Sequence, residues 1–507
     1  MDAAIIPGLD LDRAALDRAR MSRDPRFDGR FYIGVLSTRI YCRPICPAPS
    51  PKPCNIRYYP TAAAAAEAGL RPCLRCRPEV APDSPAWLGA SAVVRRALRL
   101  IQEGALDEGS VEALSTRLGI GPRHLRRLFI QHVGASPVAV AQTRRLHFAK
   151  RLIDETNLSM TEIALASGYG SVRRFNAAIR ASYQRTPSEL RHRRRGKVAD
   201  RGDSIVLRLA YRPPYDWDGL LKYLTERAIP EIERVDGRCY SRTAVLDGKP
   251  GYITVRAAEG THAIEFEVHG ASATELFGLV SRARRMFDLS VDPARIAFAL
   301  QREPMLAPLV KRYPGVRIPG CWEGFECAVC AVLSQGSLSG DRRLLSRLVR
   351  SCSARVPAPH ILDAGLTHLF PTAQALAVAE LEGIGLAGPQ IAAVKALAVA
   401  FLERRIDFDA PAEELIRTLV ALPGVSDSAA QYIALRALGY PDAFPAARLD
   451  LCRPARRSCF SLGKRPLSEI ADAWRPWRSY AALCLWRAQE DRPGTDRFPS
   501  PRSRNTA

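Results

Sequence analysis

Four cysteines stand in two close pairs near the start of this 507-residue chain. Cys42 and Cys46 bracket Arg-Pro-Ile, 26 residues (47 to 72) follow, and Cys73 and Cys76 bracket Leu-Arg. Pairs with three- and two-residue spacers can close on one tetrahedral ion, and four thiolates are the usual shell of structural zinc. One Zn²⁺ per chain, held by Cys42, Cys46, Cys73 and Cys76, is the expectation. A ligating sulfur is a thiolate at neutral pH and so also a standing nucleophile. Most such sites only hold a small fold together, and spacing alone does not separate that role from a chemical one. The flanking elements place the pairs. An alternating run from Phe31 to Tyr41 predicts a strand pair ending at Cys42. An alanine-rich helix from Thr61 to Ala68, closed by Gly69, precedes the second pair.

The whole chain points to a polyanionic partner. Its net charge is +22 and its pI about 9.8. Residues 91 to 200 carry 20 Lys/Arg against 9 Asp/Glu, so the excess is concentrated. No apolar run is long enough to span a bilayer, and the first residues do not read as a signal peptide. Five of thirteen cysteines fall before residue 77 and the others scatter, which fits a reducing compartment with one metal site. A cytoplasmic, double-stranded-DNA-directed protein of two to four domains is expected, with no membrane partner.

The segments Tyr41-Cys-Arg-Pro44 and Arg71-Pro-Cys-Leu-Arg-Cys76 resemble the amino-terminal domain of Ada-type repair proteins, over roughly residues 20 to 80. The resemblance implies that Cys42 is both zinc ligand and methyl acceptor, taking the methyl of a DNA methyl phosphotriester once and irreversibly. Methylation would lower the charge of the zinc–thiolate cluster from −2 to −1 and so ease its approach to DNA phosphate. Arg43, Arg71, Arg75 and Arg77 surround the ligands. They fit either a solvated basic rim or phosphate contacts, and contact is the preferred reading. Cys54, outside both pairs, reads as a packing cysteine.

Residues 91 to 190 show helical periodicity with two helix-turn-helix patterns. In the first, Val111 to Leu118 leads through Gly119-Ile-Gly121 to a helix opened by Pro122. That helix buries Leu125, Leu128 and Phe129 and leaves Arg123, His124, Arg126 and Arg127 outward, suited to a major groove. His124 is assigned no chemistry. In the second, Met160 to Ala166 leads through Gly168-Tyr-Gly170 to Ser171, an N-cap. Arg173, Arg174, Asn176 and Arg180 follow on a helix pinned by Phe175 and Ile179. Joined by a helix around Arg144 to Ile153, the pair resembles the AraC-type DNA-binding domain. That implies promoter DNA and RNA polymerase as partners.

From Ser204 onward, strands (Ile205 to Ala210, Gly251 to Ala257, Thr261 to His269) mix with helices near Trp217 to Ala228 and Ala273 to Phe287. Tyr211-Arg-Pro-Pro-Tyr-Asp-Trp217 and Arg285 to Pro293 resemble the accessory domain of AlkA-type alkylbase DNA glycosylases. The helical remainder resembles that family's helix-hairpin-helix domain, through Ala434 to Gly439, Asp442 to Pro445 and Trp474 to Tyr480. Cys321, Cys327 and Cys330 read as packing residues. The resemblance breaks where its chemistry should lie. The hairpin reads Leu422-Pro-Gly-Val-Ser-Asp-Ser-Ala-Ala430, keeping Gly424 for backbone approach to phosphate but placing Ser426 and Asp427 where the family has Gly-Pro. Gln335-Gly-Ser-Leu338 departs from the family's Gln-Gln-Val-Ser. Arg448 stands at the family's catalytic aspartate, the carboxylate that stabilises the oxocarbenium-like sugar. Asp450, the remaining candidate, lies about 200° round a helix from 448 and needs a local backbone shift to substitute. Ser428 holds the lyase-lysine position, so Schiff-base chemistry is not expected. No Pro-Cys-His-Arg segment marks a base-methyl acceptor domain.

The expected fold is multidomain α+β. It comprises a small zinc-bound α/β domain (1–82), an all-α double helix-turn-helix domain (90–192), an α+β accessory domain (204–308), an all-α helix-hairpin-helix glycosylase-like domain (309–490) and a disordered tail (491–507). The leading functional reading is a single-turnover methyl phosphotriester acceptor coupled to transcription activation, with an impaired glycosylase module. Two others stay open. In one the glycosylase works and the front half regulates it; in the other the zinc domain is structural and transfers no methyl.

Overall fold

The computed structural model describes residues 9, 11–83, 92–193, 204–334, 342–353, 355–357, 365–447 and 467–491. Arg448, Asp450 and Gln335 to Leu338 lie outside the described residues. Helix α1 (Arg13–Ser22) is capped by Asp12, whose side chain accepts from Ala15 N. Strands β1 (Tyr32–Val35), β2 (Ile40–Cys42), β3 (Ile56–Tyr59) and β4 (Arg71–Pro72) form a sheet in the order β3-β1-β2-β4, with β4 parallel to β2. Helix α2 (Ala62–Glu67), capped by Thr61, covers it. Its buried alanines, Ala62 to Ala65, cluster with Tyr32, Tyr41, Tyr59, Leu70 and, from the next unit, Ala135. Methyl side chains let this helix pack closely on two surfaces at once.

The two helix-turn-helix units follow the sequence pattern. Helix α3 (Ala92–Gln102) precedes α4 (Val111–Leu118) and α5 (Pro122–Val133). The long α6 (Pro137–Glu155) leads to α7 (Met160–Ala166), α8 (Val172–Tyr183) and α9 (Pro187–His192). Gly119 ends α4 at φ +70°, a left-handed conformation that frees the chain to turn into α5. Ser159 and Glu162 form a capping box on α7, and Ser171 caps α8 by accepting from Arg174 N at 3.3 Å.

Five antiparallel strands make the second sheet: β5 (Ser204–Ala210), β6 (Glu233–Asp236), β7 (Cys239–Leu246), β8 (Lys249–Ala257) and β9 (Ala263–His269), in the order β5-β9-β8-β7-β6. Sequence alternation identifies β5, β8 and β9 only. Strands β6 and β7 escape it because charged residues occupy their inner positions: Arg242 is buried and pairs with Glu326 at 2.7 Å and Glu233 at 3.3 Å. Helices α10 (Trp217–Arg227) and α11 (Leu276–Met286) belong to this unit. One apolar cluster runs from Phe148, Ile163 and Phe175 of the helical unit to Leu207, Ile253, Phe266 and Phe287, so the two share a core.

Helices α12 (Pro293–Leu300), α13 (Ala307–Arg312), α14 (Gly324–Leu333), α15 (Arg342–Cys352), α16 (Ala373–Val378), α17 (Gly388–Leu402), α18 (Ala412–Val420) and α19 (Asp427–Leu438) surround one further core with a closing helix, Arg478–Glu490. Among the described residues no helix is long and apolar enough to cross a membrane.

Candidate metal centre and nucleic-acid interface

Backbone hydrogen bonds bring the four cysteines together. Cys42 ends β2 opposite Ile33 of β1. A tight turn (Cys46 N to Arg43 O, 3.1 Å) returns Cys46 to the same place. Cys73 N donates to Tyr41 O at 3.0 Å, and Arg77 N closes the second turn on Cys73 O at 3.1 Å. The four sulfurs lie within 4.8 Å of one another, and no other group of three or more metal-binding side chains occurs among the described residues. Tetrahedral Zn–S bonds of about 2.3 Å separate sulfurs by about 3.8 Å, so a modest contraction closes the shell. The donor chemistry also asks for a cation. The clustered sulfurs hydrogen-bond one another, which draws Cys46 and Cys73 down and pushes Cys42 and Cys76 up. Four adjacent thiols cannot all ionise without a positive centre, and this donor set fits Zn²⁺.

The sulfurs are not equivalent. Arg43 N–H donates to Cys76 Sγ at 3.3 Å and Arg75 N–H to Cys73 Sγ at 3.4 Å. Among the described residues, no main-chain N–H donates to Cys42 Sγ or Cys46 Sγ. Exposure does not single it out, since Cys42, Cys73 and Cys76 are all buried and Cys46 is more open.

Three residues depart from the sequence expectations. Arg43 does not face solvent or phosphate. It is buried, its Nε donates to Asp28 Oδ1 at 2.8 Å, a second bond joins Nη2 to Asp28 Oδ2, and Nη1 donates to Cys76 O at 3.0 Å. A guanidinium one residue from a thiolate cluster is held by a buried carboxylate and a carbonyl instead of water. Cys54 is not packed; it is exposed on the turn Pro53–Asn55. Arg77 also turns inward, meeting Asp154 of α6 at 2.9 Å and Glu79 at 3.2 Å. Arg75 is exposed at the tip of the second turn, and Arg71 is half-exposed on β4.

Asp28 is a functional neighbour that sequence reasoning missed. It lies in the segment Asp24-Pro-Arg-Phe-Asp28-Gly29, 14 residues before Cys42.

The zinc unit is fastened along α6. Glu67 accepts from Ser136 N at 3.1 Å and Ser136 Oγ at 2.8 Å, and Thr61 Oγ1 donates to Val133 O at 2.9 Å. Tyr41 Oη bonds His147 Nε2 at 2.8 Å; burial pushes His147 down to about 4, so it is neutral. Both recognition helices remain open. On α5, Arg123, His124, Arg126 and Arg127 are exposed while Leu125 and Phe129 are buried; Arg127 Nη2 donates to His124 Nδ1 at 3.0 Å. On α8, Arg173, Arg174 and Asn176 are exposed over buried Phe175 and Ile179. Two basic, outward helices each following a tight turn are a DNA-reading arrangement.

In the hairpin between α18 and α19, Gly424 has φ +74°, and a Cβ there would meet Ala393 Cβ at 2.8 Å. Both conformation and space demand glycine. Ser426 caps α19 by accepting from Ala429 N at 3.2 Å, and Asp427 is exposed in its first turn. That acid suits the helix dipole but opposes a phosphate. Asp442 accepts from Arg475 Nη1 at 2.5 Å and Arg478 Nε at 2.8 Å, tying two carboxy-terminal sequence motifs together. Cys327 is buried, and Cys321 and Cys330 are half-buried with thiols pushed well up, by the Cys327 hydrogen bond for Cys321 and by burial for Cys330.

A four-cysteine metal domain, a double helix-turn-helix and an AlkA-like module in one chain define a class of DNA-repair regulator. Family models place the metal binding domain of Ada on residues 15–79, a helix-turn-helix domain on 114–193 and the AlkA N-terminal domain on 206–323. A relative from Mycobacterium tuberculosis, "Probable bifunctional transcriptional activator/DNA repair enzyme AlkA", is 37% identical over 479 residues, covering 93% of this chain and 96% of its own. The chain belongs to that family of bifunctional transcriptional activators and DNA repair enzymes. "DNA-3-methyladenine glycosylase 2" of Escherichia coli is 29% identical over 291 residues, 56% of this chain and 98% of its own. The solved structure of a 3-methyladenine DNA-glycosylase from Archaeoglobus fulgidus overlaps 56% of this chain and 98% of its own, at 19% identity and a TM-score of 0.48.

Proposed function

We propose that this protein accepts the methyl group of a DNA methyl phosphotriester on Cys42, once per chain, and binds promoter DNA more tightly afterwards. The observation that carries the reading is the closed four-sulfur cluster, with Cys42 at the end of β2 in the Tyr41-Cys-Arg-Pro44 segment of the Ada-like domain. An N–H bond withdraws electron density from a thiolate; Cys73 and Cys76 each accept one, while neither Cys42 nor Cys46 does among the described residues. When bound, Zn²⁺ would hold all four sulfurs as thiolates at neutral pH.

Cys42 Sγ then attacks the methyl carbon in line with the C–O bond. The S–C bond forms as C–O breaks, and the departing phosphodiester oxygen keeps the electron pair and needs no proton. Arg75, exposed beside the cluster, and Arg71 position the phosphate. The thioether is stable and no residue returns it to a thiolate, so the chain works once. The loss of one negative charge lets the cluster side approach DNA while α5 and α8 read the groove. RNA polymerase is the expected partner at the promoter.

The glycosylase-like half, on this reading, recognises DNA with little base release. Arg448 stands at the carboxylate position, and Asp427 opposes phosphate at the hairpin.

Titrating full-length protein with DNA carrying labelled methyl phosphotriesters should saturate at one methyl per chain without turnover. Promoter affinity should rise on methylation, and the gain should shrink with added salt. Continued turnover, or affinity unchanged at low salt, would refute the reading.

A further inference from the structure

Arg212, in the AlkA-like half, is 0% exposed and belongs to neither family's expected chemistry. Among the described residues, its guanidinium donates hydrogen bonds only to main-chain oxygens, drawn from three segments. Nε donates to Asp28 O at 2.8 Å in the zinc unit. Nη2 donates to Asp83 O at that unit's carboxy-terminal edge. Nη1 donates to Ser290 O at 2.8 Å and Val291 O at 3.3 Å in the accessory unit. Beside it, Gly29 takes φ +72°, and a Cβ there would lie 2.2 Å from Pro82 O, so the junction admits no side chain. A second pin, Arg30 to Asp292 at 3.2 Å, crosses the same boundary.

Asp28 therefore stands between two arginines. Its main-chain oxygen is held by Arg212, and its carboxylate holds Arg43. Arg43 in turn grips the cluster, through its N–H on Cys76 Sγ and Nη1 on Cys76 O, and is the residue next to Cys42.

We infer that Arg212 is a positioning residue for the thiolate cluster, coupling the AlkA-like half to the methyl-acceptor site through Asp28 and Arg43. Its consequence for methyl transfer rests on the proposed function; its consequence for cluster geometry does not. Releasing Asp28 lets Arg43 move, which alters the N–H bond to Cys76 and the angle at which Cys42 is presented. A misplacement of about 1 Å in such an arrangement slows a reaction on the order of a hundredfold.

The test uses full-length protein loaded with Co²⁺ or Zn²⁺ and the variants Arg212→Ala, Arg212→Lys and Arg30→Ala. Folding is checked by circular dichroism. In Arg212→Ala the thiolate-to-Co²⁺ absorption bands should shift, and transfer from methyl phosphotriester DNA to the Zn²⁺ form should slow at least about tenfold. Arg212→Lys, which keeps the charge and some of the donors, should recover part of both. A folded Arg212→Ala protein with unaltered bands and unaltered rate would overturn the inference. Should Arg212→Ala fail to fold, Arg30→Ala decides: a smaller change in the same direction supports the coupling, and none overturns it. If the natural protein transfers no methyl at all, the functional proposal falls, and the Co²⁺ bands still decide the coupling.

Discussion

Arg448→Asp is expected to raise release of 3-methyladenine from alkylated DNA at least about tenfold over the natural chain, which should release the base slowly or not at all. The argument is electrostatic. As the base leaves, positive charge develops on the sugar, and a unit charge about 4 Å away interacts with it by about 4 kcal/mol at an effective dielectric of about 20. Putting a guanidinium where a carboxylate serves reverses the sign of that interaction. Even a partly screened reversal costs several kcal/mol, on the order of a thousandfold in rate. Adding Ser426→Gly and Asp427→Pro should improve excision further. Those changes act on a separate step, the hairpin's grip on phosphate, by removing the exposed acid from the start of α19. The opposing idea gives the carboxylate role to Asp450. It requires efficient excision by the natural protein and near-complete loss in Asp450→Asn, and that pair of results would refute the inactive-module reading.

Zinc loss should have the second large effect. The Cys46→Ser, Cys73→Ser double variant should hold less than about a tenth of the zinc of the natural chain and lose the fold of its first 80 or so residues. The strands there are short: β2 has three residues and β4 two. Each ends at or beside a ligand, so the metal closes what so few ladder hydrogen bonds cannot. Structural zinc is worth about 10–16 kcal/mol in small zinc-dependent domains, more than a sheet of this size supplies. Hydrogen exchange should show the amides of Ile33 and Tyr41 losing protection, while those of α6 persist through the core shared with the accessory sheet. Full zinc occupancy in the double variant, by metal analysis, would refute the four-cysteine assignment.

Most of the local architecture was legible in the sequence because its determinants are local. Gly119-Ile-Gly121, Pro122 and Ser171 set helix ends through their own conformations and caps, and the structure places those ends accordingly. The cysteine spacing likewise carried the cluster. Long-range pairing was not legible. Nothing near Arg43 indicates that Asp28, 15 residues earlier, will bury it, so it read as a surface arginine. The Tyr41–His147 and Arg212–Asp28 bonds join residues 106 and 184 positions apart, and neither leaves a periodic trace. Strands β6 and β7 stayed hidden because Arg242 is buried and paired with Glu326, against the usual pattern of charges facing water.

The central claim, that Cys42 is the methyl acceptor, is tested most directly by mapping the label. Full-length zinc-loaded protein is incubated with DNA bearing deuterated methyl phosphotriesters, digested, and read by peptide mass spectrometry. The account predicts a single deuteromethyl group on Cys42 and none on any other cysteine. Label on Cys46, Cys54, Cys73 or Cys76, or no labelled cysteine at all, would contradict it.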